Sequence, residues 1–325
     1  MSSKKCVQAE FGQARASFAY LFKIVVDNEL FLVGNEHPEN WRYQPVGGGY
    51  QYLAPSHDII KTYFAPQAAH SVHEIANAWR DLRNCISSAR ENYDFRMLVP
   101  AAKVSLLFDF FCSAEQTLES DSVEKRMSEA CELNDLFTDL VYKTGQIALD
   151  KGWAQERGLE GAGQVMAYLK SANNLFAGMP ELKCEREQLT DLSREFKEEL
   201  LESGIIPKDQ HVAFSTIEYN YLGYFREIFF DERFGCYSFF MSDVVELNLN
   251  AQQLAIFREL KQTPNNNYCF ISESKLVEHI LYRHEKESDV PFPPIADHSQ
   301  KLLSANLQQT SFYKRTPERH FKVDL

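Results

Sequence analysis

Apolar and polar positions along this chain fall into three regimes. From Ala16 to Glu36, ASFAYLFKIVVDNELFLVGNE alternates large apolar with smaller residues and breaks at Asp27-Asn28-Glu29, which predicts two strands joined by a tight hairpin. After a polar loop, RYQPVGGGYQYLAP reads as a short strand interrupted by three glycines and closed by proline; glycines there let another backbone or a ligand come close. From about Pro66 the period lengthens. Val72, Ile75, Trp79, Leu82, Ile86 and Ala89 recur three and four apart, which makes an amphipathic helix. DFRMLVPAAKVSLLFDFF, Asp94 to Phe111, predicts a strand, a turn and a buried apolar element of either type. Val123, Met127, Ala130, Leu133, Phe137, Leu140, Tyr142 and Ile147 trace a second helical stripe, and VMAYLKSANNLFAG a third helix ending at Gly178.

Strand character returns in HVAFSTIEYNYLGYF, in REIFFDERFGCYSFFMSDVVELNL and in NYCFISES, with a helix around Ala251 to Leu260. Beyond Ser288 the chain turns polar and proline-bearing, and its end, FYKRTPERHFKVDL, is locally basic. The pattern predicts an α+β protein in four stretches: a strand-rich 1–65, a mainly helical 66–185, a mixed 186–288 and a polar 289–325.

Composition narrows the class. With 325 residues, 44% hydrophobic, 13% aromatic and 25% charged, the chain can bury a sizeable core. A net charge of -12 argues against bulk nucleic-acid binding, which needs clustered lysine and arginine. Seven scattered cysteines without a C-x-x-C pair point to reduced thiols and away from a zinc site. No apolar run is long enough to span a membrane and the N-terminus has no apolar signal region, so a cytoplasmic location is expected.

The densest chemistry lies in REFKEELLESGII, Arg194 to Ile206. On a helix, Glu195, Glu198, Glu199 and Glu202 share one side, while Phe196 and Leu200 face a core. Like charges at these spacings disfavour a helix by about 0.2–0.5 kcal/mol per pair. A hard divalent cation would offset them, since Mg²⁺ or Mn²⁺ takes carboxylate oxygens and leaves sites for water and phosphate. A solvated face with Arg194 and Lys197 as partial partners is the plainer alternative.

Arg194-Glu195-Phe196-Lys197-Glu198-Glu199 resembles the R-E-U-x-E-E heart of the Nudix box, G-x5-E-x7-R-E-U-x-E-E-x-G-U, and Pro45-Val46-Gly47-Gly48-Gly49 resembles the glycine-bearing strand that precedes it. Three departures stand out. Arg194 follows Gly49 by 145 positions, so the box is split by about 130 residues; Arg186, flanked by Glu185 and Glu187, stands where the pattern has Glu; and Gly204 comes three residues late. The split form is similar to bacterial SMODS-associated NUDIX proteins, found beside nucleotide second-messenger synthases in anti-phage loci. The chain shares with them Tyr43 to Gly48, Asp94 to Arg96, Arg186-Glu187 and Arg194 to Leu200.

The resemblance implies a Nudix-like α/β/α sandwich with a large helical insertion, and a hydrolase of a nucleoside diphosphate-linked compound or nucleotide-derived signal in anti-phage defence. It implies Mg²⁺ or Mn²⁺ on Glu195, Glu198 and Glu199. Glu198, Glu199 and Arg194 would carry catalysis, and Gly47, Gly48 and Gly49 would lie along the substrate. A non-catalytic Nudix-fold sensor that relays nucleotide binding through the insertion is the alternative, and the inserted helices suit equally a cap that shapes the substrate pocket or a surface for a homodimer or a protein partner. The general base stays open: Asp243 and Glu246 are candidates, though a surface role is the plainer reading. Trp41, Tyr50 and Tyr52 suit core packing more than base stacking, and His57 and His70 carry no ligand spacing.

Overall fold

A computed structural model describes residues 13–35, 41–53, 56, 59–60, 96–101, 104–112, 184–232, 235–263, 265–282, 294–303 and 320–325, with 136, 138–144, 146, 155, 158, 160, 161, 163 and 164. The helical stripes expected over 72–89 and 165–178, most of the one over 123–147, and His57 and His70 lie outside the described residues; 138–144 is helical. The strands are β1 (Gln13–Lys23), β2 (Val25–Val26), β3 (Glu29–Gly34), β4 (Tyr43–Gln44), β5 (Val46–Gly49), β6 (Arg96–Pro100), β7 (Thr216–Asp231), β8 (Cys236–Leu247), β9 (Tyr268–Ser272) and β10 (His320–Asp324). The helices are α1 (Val104–Cys112), α2 (Arg194–Phe196, continued as a π-helix through Lys197–Glu202), α3 (Ala251–Gln262) and α4 (Glu273–Tyr282). The protein is thus α+β, as expected. Among the described residues no helix is long and apolar enough to cross a membrane.

A six-stranded sheet has the order β10-β7-β8-β1-β5, with β6 also on β1; a smaller sheet has the order β2-β3-β4, with β9 on β3. The β2-β3 hairpin turns where the sequence pattern breaks. Asp27 and Asn28 take φ of 49° and 64°, and Val26 pairs with Glu29, the two-residue type I′ geometry whose twist suits a hairpin. The undecided apolar element after Pro100 is the helix α1, because Val104, Leu107, Phe108 and Phe111 recur at helical spacing and all are buried. HVAF, expected as strand, belongs to a 3-10 turn over Lys208–Phe214, and only from Thr216 does the backbone extend. The basic end of the chain supplies the edge strand: β10 pairs with β7 from His320↔Asn220 to Asp324↔Thr216.

Backbone packing divides the chain into two compact units, one of residues 1–18, 49–187 and 226–241, the other of 19–48, 188–225 and 242–325. In the first, Phe18 stacks on Phe111 at 4.3 Å and meets Phe239 at 6.2 Å, while β6 pairs with β1 from Gln13↔Pro100 to Ser17↔Arg96. In the second, alternation along β1 serves two cores. Phe22 faces one side, against Tyr20, Phe196 and Tyr219, and the ring contacts continue through Phe214 and Phe257 to Phe31. Leu21 faces the other side, in a cluster with Leu30, Leu32, Val244, Ile271 and Leu276.

These packing facts set two stability expectations. Phe22→Ala, in a fully buried position with three aromatic neighbours, lowers unfolding free energy by about 3–5 kcal/mol. Ser238→Ala, whose buried hydroxyl has no partner among the described residues, is neutral or stabilising by about 1 kcal/mol. Urea titration of both variants measures the contrast.

Candidate active site

The glutamate helix is seated by its buried apolar residues, Phe196 and Leu200. Phe196 is fully buried and touches Phe22 at 6.0 Å and Phe214 at 5.7 Å, which turns Glu195 inward with it. Two phenols of the sheet hold the approach to the helix. Tyr219 accepts from the Leu192 N–H and donates to the Leu189 carbonyl, both at 2.9 Å, and the Glu195 N–H donates to the Tyr20 hydroxyl at 3.3 Å. Neither tyrosine stands out in the sequence except as an apolar-face position in an alternating strand.

The glycine strand comes to this helix, and the two halves of the split pattern meet. The Gly47 N–H donates to Glu199 Oε2 at 2.8 Å. Gly47 has φ +143°, and a Cβ there would strike the Tyr20 carbonyl and lie 2.9 Å from Leu21 Cα, so only glycine fits. A Cβ on Gly48 would run into the carboxylate of Glu195, lying 2.8 Å from its Oε2. Gly49 closes β5. The glycines are therefore spaces occupied by carboxylates and by the neighbouring strand.

Charges at the site are paired and crowded. Arg194 Nη1 lies 2.8 Å from Glu195 Oε1 and 3.3 Å from Glu198 Oε2. Burial, and then the negative charge of Glu195, push the Glu199 carboxyl well above the ordinary value of 4.5; the Gly47 N–H and the Gln44 side chain pull the other way, and Glu198 adds to the rise. Gln44, the middle residue of Tyr43-Gln44-Pro45, is a participant the sequence reading passed over. Glu202, expected on the same face, is exposed. The helix opens from α to π geometry at Lys197, and Ser203 and Gly204 (φ +77°) end it.

Other expectations resolve differently. Asp243 is not on the surface: it is 8% exposed and accepts from the Tyr221 hydroxyl at 3.0 Å, while Glu246 is partly exposed. Tyr50 is fully buried, with the Arg186 guanidinium over its ring at 4.4 Å, so that face is closed to a base. Trp41 packs on Tyr43 at 4.6 Å.

Glu195, Glu198 and Glu199 offer only carboxylate oxygens, the donor set a hard divalent cation takes, and the upward push on Glu199, which comes first from burial and then from the charge of Glu195, is one such a cation would offset. In that sense the residues fit Mg²⁺ or Mn²⁺. As placed, the carboxylates are held by Arg194 and by the Gly47 N–H, and among the described residues no group of three or more His, Cys, Asp or Glu stands ready to hold a metal.

No curated protein and no solved structure matches the chain. The family model of the SMODS-associated NUDIX domain does, over residues 13–130 and 175–303. Both halves of the divided pattern, the glycine strand and the glutamate helix, fall inside the match, and the chain belongs to the SMODS-associated NUDIX domain family.

Proposed function

We propose that the protein is a metal-dependent Nudix-type pyrophosphohydrolase of a nucleoside diphosphate-linked compound or nucleotide-derived signal, working in the bacterial cytoplasm in anti-phage defence. Its fold is read as an α/β/α sandwich from 1–65 and 186–288, with 66–185 inserted between the halves and 289–325 following. The observation that supports it is the meeting of Gly47 and Gly48 with Glu199 and Glu195, carboxylates against a side-chain-free backbone. Glu195, Glu198 and Glu199 would hold Mg²⁺ or Mn²⁺, which when bound neutralises charge on a diphosphate and lowers the pKa of water. The chain's own part is placement. Arg194 fixes Glu195 and Glu198, the Gly47 N–H fixes Glu199, and the bare backbone of Gly47 and Gly48 lets the strand close on the carboxylates, beside which a diphosphate would lie. Without a metal Glu199 keeps its proton to higher pH than an ordinary carboxyl, and a bound cation would displace that proton.

A second reading, a nucleotide sensor without turnover, draws support from Arg194 already engaging two of the three glutamates and from Arg186 in the place of the pattern's first glutamate. A panel of NAD, ADP-ribose, nucleoside triphosphates, dinucleoside polyphosphates and capped RNA, with Mg²⁺ or Mn²⁺ and all products read by mass spectrometry, separates the two. Saturable binding without product over hours would favour the sensor.

Under the hydrolase reading, Glu199→Gln lowers turnover by at least about 100-fold, and unchanged turnover would sink the assignment. Gly48→Ala drives a methyl into the Glu195 carboxylate and lowers turnover by about 100-fold as the two halves part, with wild-type kinetics as the contrary result. The pH dependence of the metal-free protein has a definite sign. Because the folded carboxyl of Glu199 lies above its ordinary 4.5, the native state binds the extra proton, so stability falls as pH rises from about 4.5 to the raised value and is level beyond it. Glu199→Gln removes that fall; urea midpoints across pH 4 to 8 in the presence of a chelator measure it.

A further inference from the structure

The glutamate helix α2 begins without a cap of its own. Ser193 stands at its N-cap, but its side chain takes no hydrogen bond from the first turn, where a serine ordinarily satisfies one of the orphan N–H groups. Tyr219 ties down the approach instead. Its hydroxyl accepts from the Leu192 N–H and donates to the Leu189 carbonyl, both at 2.9 Å, so one phenol holds the stretch that leads into Arg194. The hydroxyl can be no better placed than the ring that carries it. Tyr219 is fully buried, and its ring meets Phe22 at 5.9 Å and Phe321 at 5.6 Å.

Phe321 belongs to β10, whose pattern suits one register. Antiparallel pairing sets Phe321 on Tyr219 and Val323 on Ile217, while His320, Lys322 and Asp324 fall opposite Asn220, Glu218 and Thr216. The polar row is complementary. Lys322 Nζ and His320 Nε2 each lie 3.2 Å from the Glu218 carboxylate, and Thr216 Oγ1 donates to Asp324 Oδ1 at 3.1 Å. The Leu325 N–H adds a bond to the Ser215 carbonyl at 2.8 Å. Exposed pairs of this kind contribute little stability, but they oppose a slip of one residue, which would turn Phe321 outward and set a polar side chain against Tyr219. In the sheet order β10 covers the side of β7 away from β8, so residues 216–220 are not an open edge. The family match ends at residue 303, and β10 lies beyond it.

We infer that Phe321 is a positioning residue: through its contact with Tyr219, the C-terminal strand fixes the lead-in to the glutamate helix. The catalytic consequence rests on the proposed hydrolase reading, whereas the contact itself is tested without it. In protein labelled with ¹⁵N-leucine, the Leu192 amide reports its bond to the Tyr219 hydroxyl. Phe321 is only half-buried, so Phe321→Ala removes the contact and spares the core. In that variant the Leu192 amide exchanges at least about 10-fold faster, while the amide of Leu32, in the cluster on the other face of β1, is unchanged. Tyr219→Phe keeps the ring, removes the hydroxyl and gives the same change. Adding Phe321→Ala to Tyr219→Phe changes little more, because both act on one bond. With a substrate in hand, Phe321→Ala lowers kcat by about 10-fold with KM changed less. Leu192 exchange at the wild-type rate in folded Phe321→Ala overturns the inference, and so do fully additive effects in the double variant. If Phe321→Ala does not fold, Phe321→Val, which keeps a strand-forming residue and removes the ring, takes its place with the same two outcomes. Faster Leu192 exchange with kcat at the wild-type value overturns the link to catalysis. Absence of turnover in the wild type fails the hydrolase reading, while the Leu192 amide still decides the role of Phe321.

Discussion

A carboxylate and a side chain cannot occupy the same volume, and the site depends on that exclusion. Glu195 fills the space a Cβ on Gly48 would take, and the Gly47 N–H closes on Glu199 at 2.8 Å. This contact is possible only because two segments 145 positions apart in sequence lie side by side. It also carries a cost: Glu199 is shut away from water beside another negative group, which raises its proton affinity. Opposing that cost are the Gly47 N–H and the Gln44 side chain, and the burial of the rings that seat the helix is favourable in its own right.

Those rings run in one connected path. Phe196 anchors the helix between Phe22 and Phe214, Phe257 carries the contact on to Phe31, and Tyr219 and Tyr20 bond the backbone that leads into the glutamates. The edge strand joins at the same place, with Phe321 against Tyr219 at 5.6 Å. The glutamates thus stand on a rigid aromatic floor, which is what a site that works by fixed charge and fixed donors requires.

Much of this was legible from pattern. The hairpin at Asp27-Asn28, the strand-rich end, the helix from Ala251 and the apolar inward face of REFKEEL follow from local rules of period and turn chemistry. The pairing of Gly47 with Glu199 was legible only as a question, because no local rule links residues 152 apart. Asp243 read as a surface residue, yet it lies inside against Tyr221, since a carboxylate in an alternating strand is exposed by default and a cross-strand phenol reverses that. HVAF read as strand and folded as a 3-10 turn for a similar reason: Gln253 Nε2 bonds the Ala213 and Thr216 carbonyls and pulls that backbone onto α3.

By itself the sequence determined the residue types: glycines where a backbone must come close, glutamates with one phenylalanine on a helix, and an arginine where the motif has a glutamate. The tertiary structure alone decided which of these meet and in what state. Whether position 186 suits a glutamate or a cation depends on the rings of Tyr50 and Phe111 and on the Phe111 carbonyl, all arriving from other parts of the chain. Whether Glu199 is a solvated charge or a crowded, proton-retaining one depends on Gly47 and Glu195. Sequence specifies charge and shape, but the dielectric and the neighbours that set their energies exist only once the chain has closed on itself.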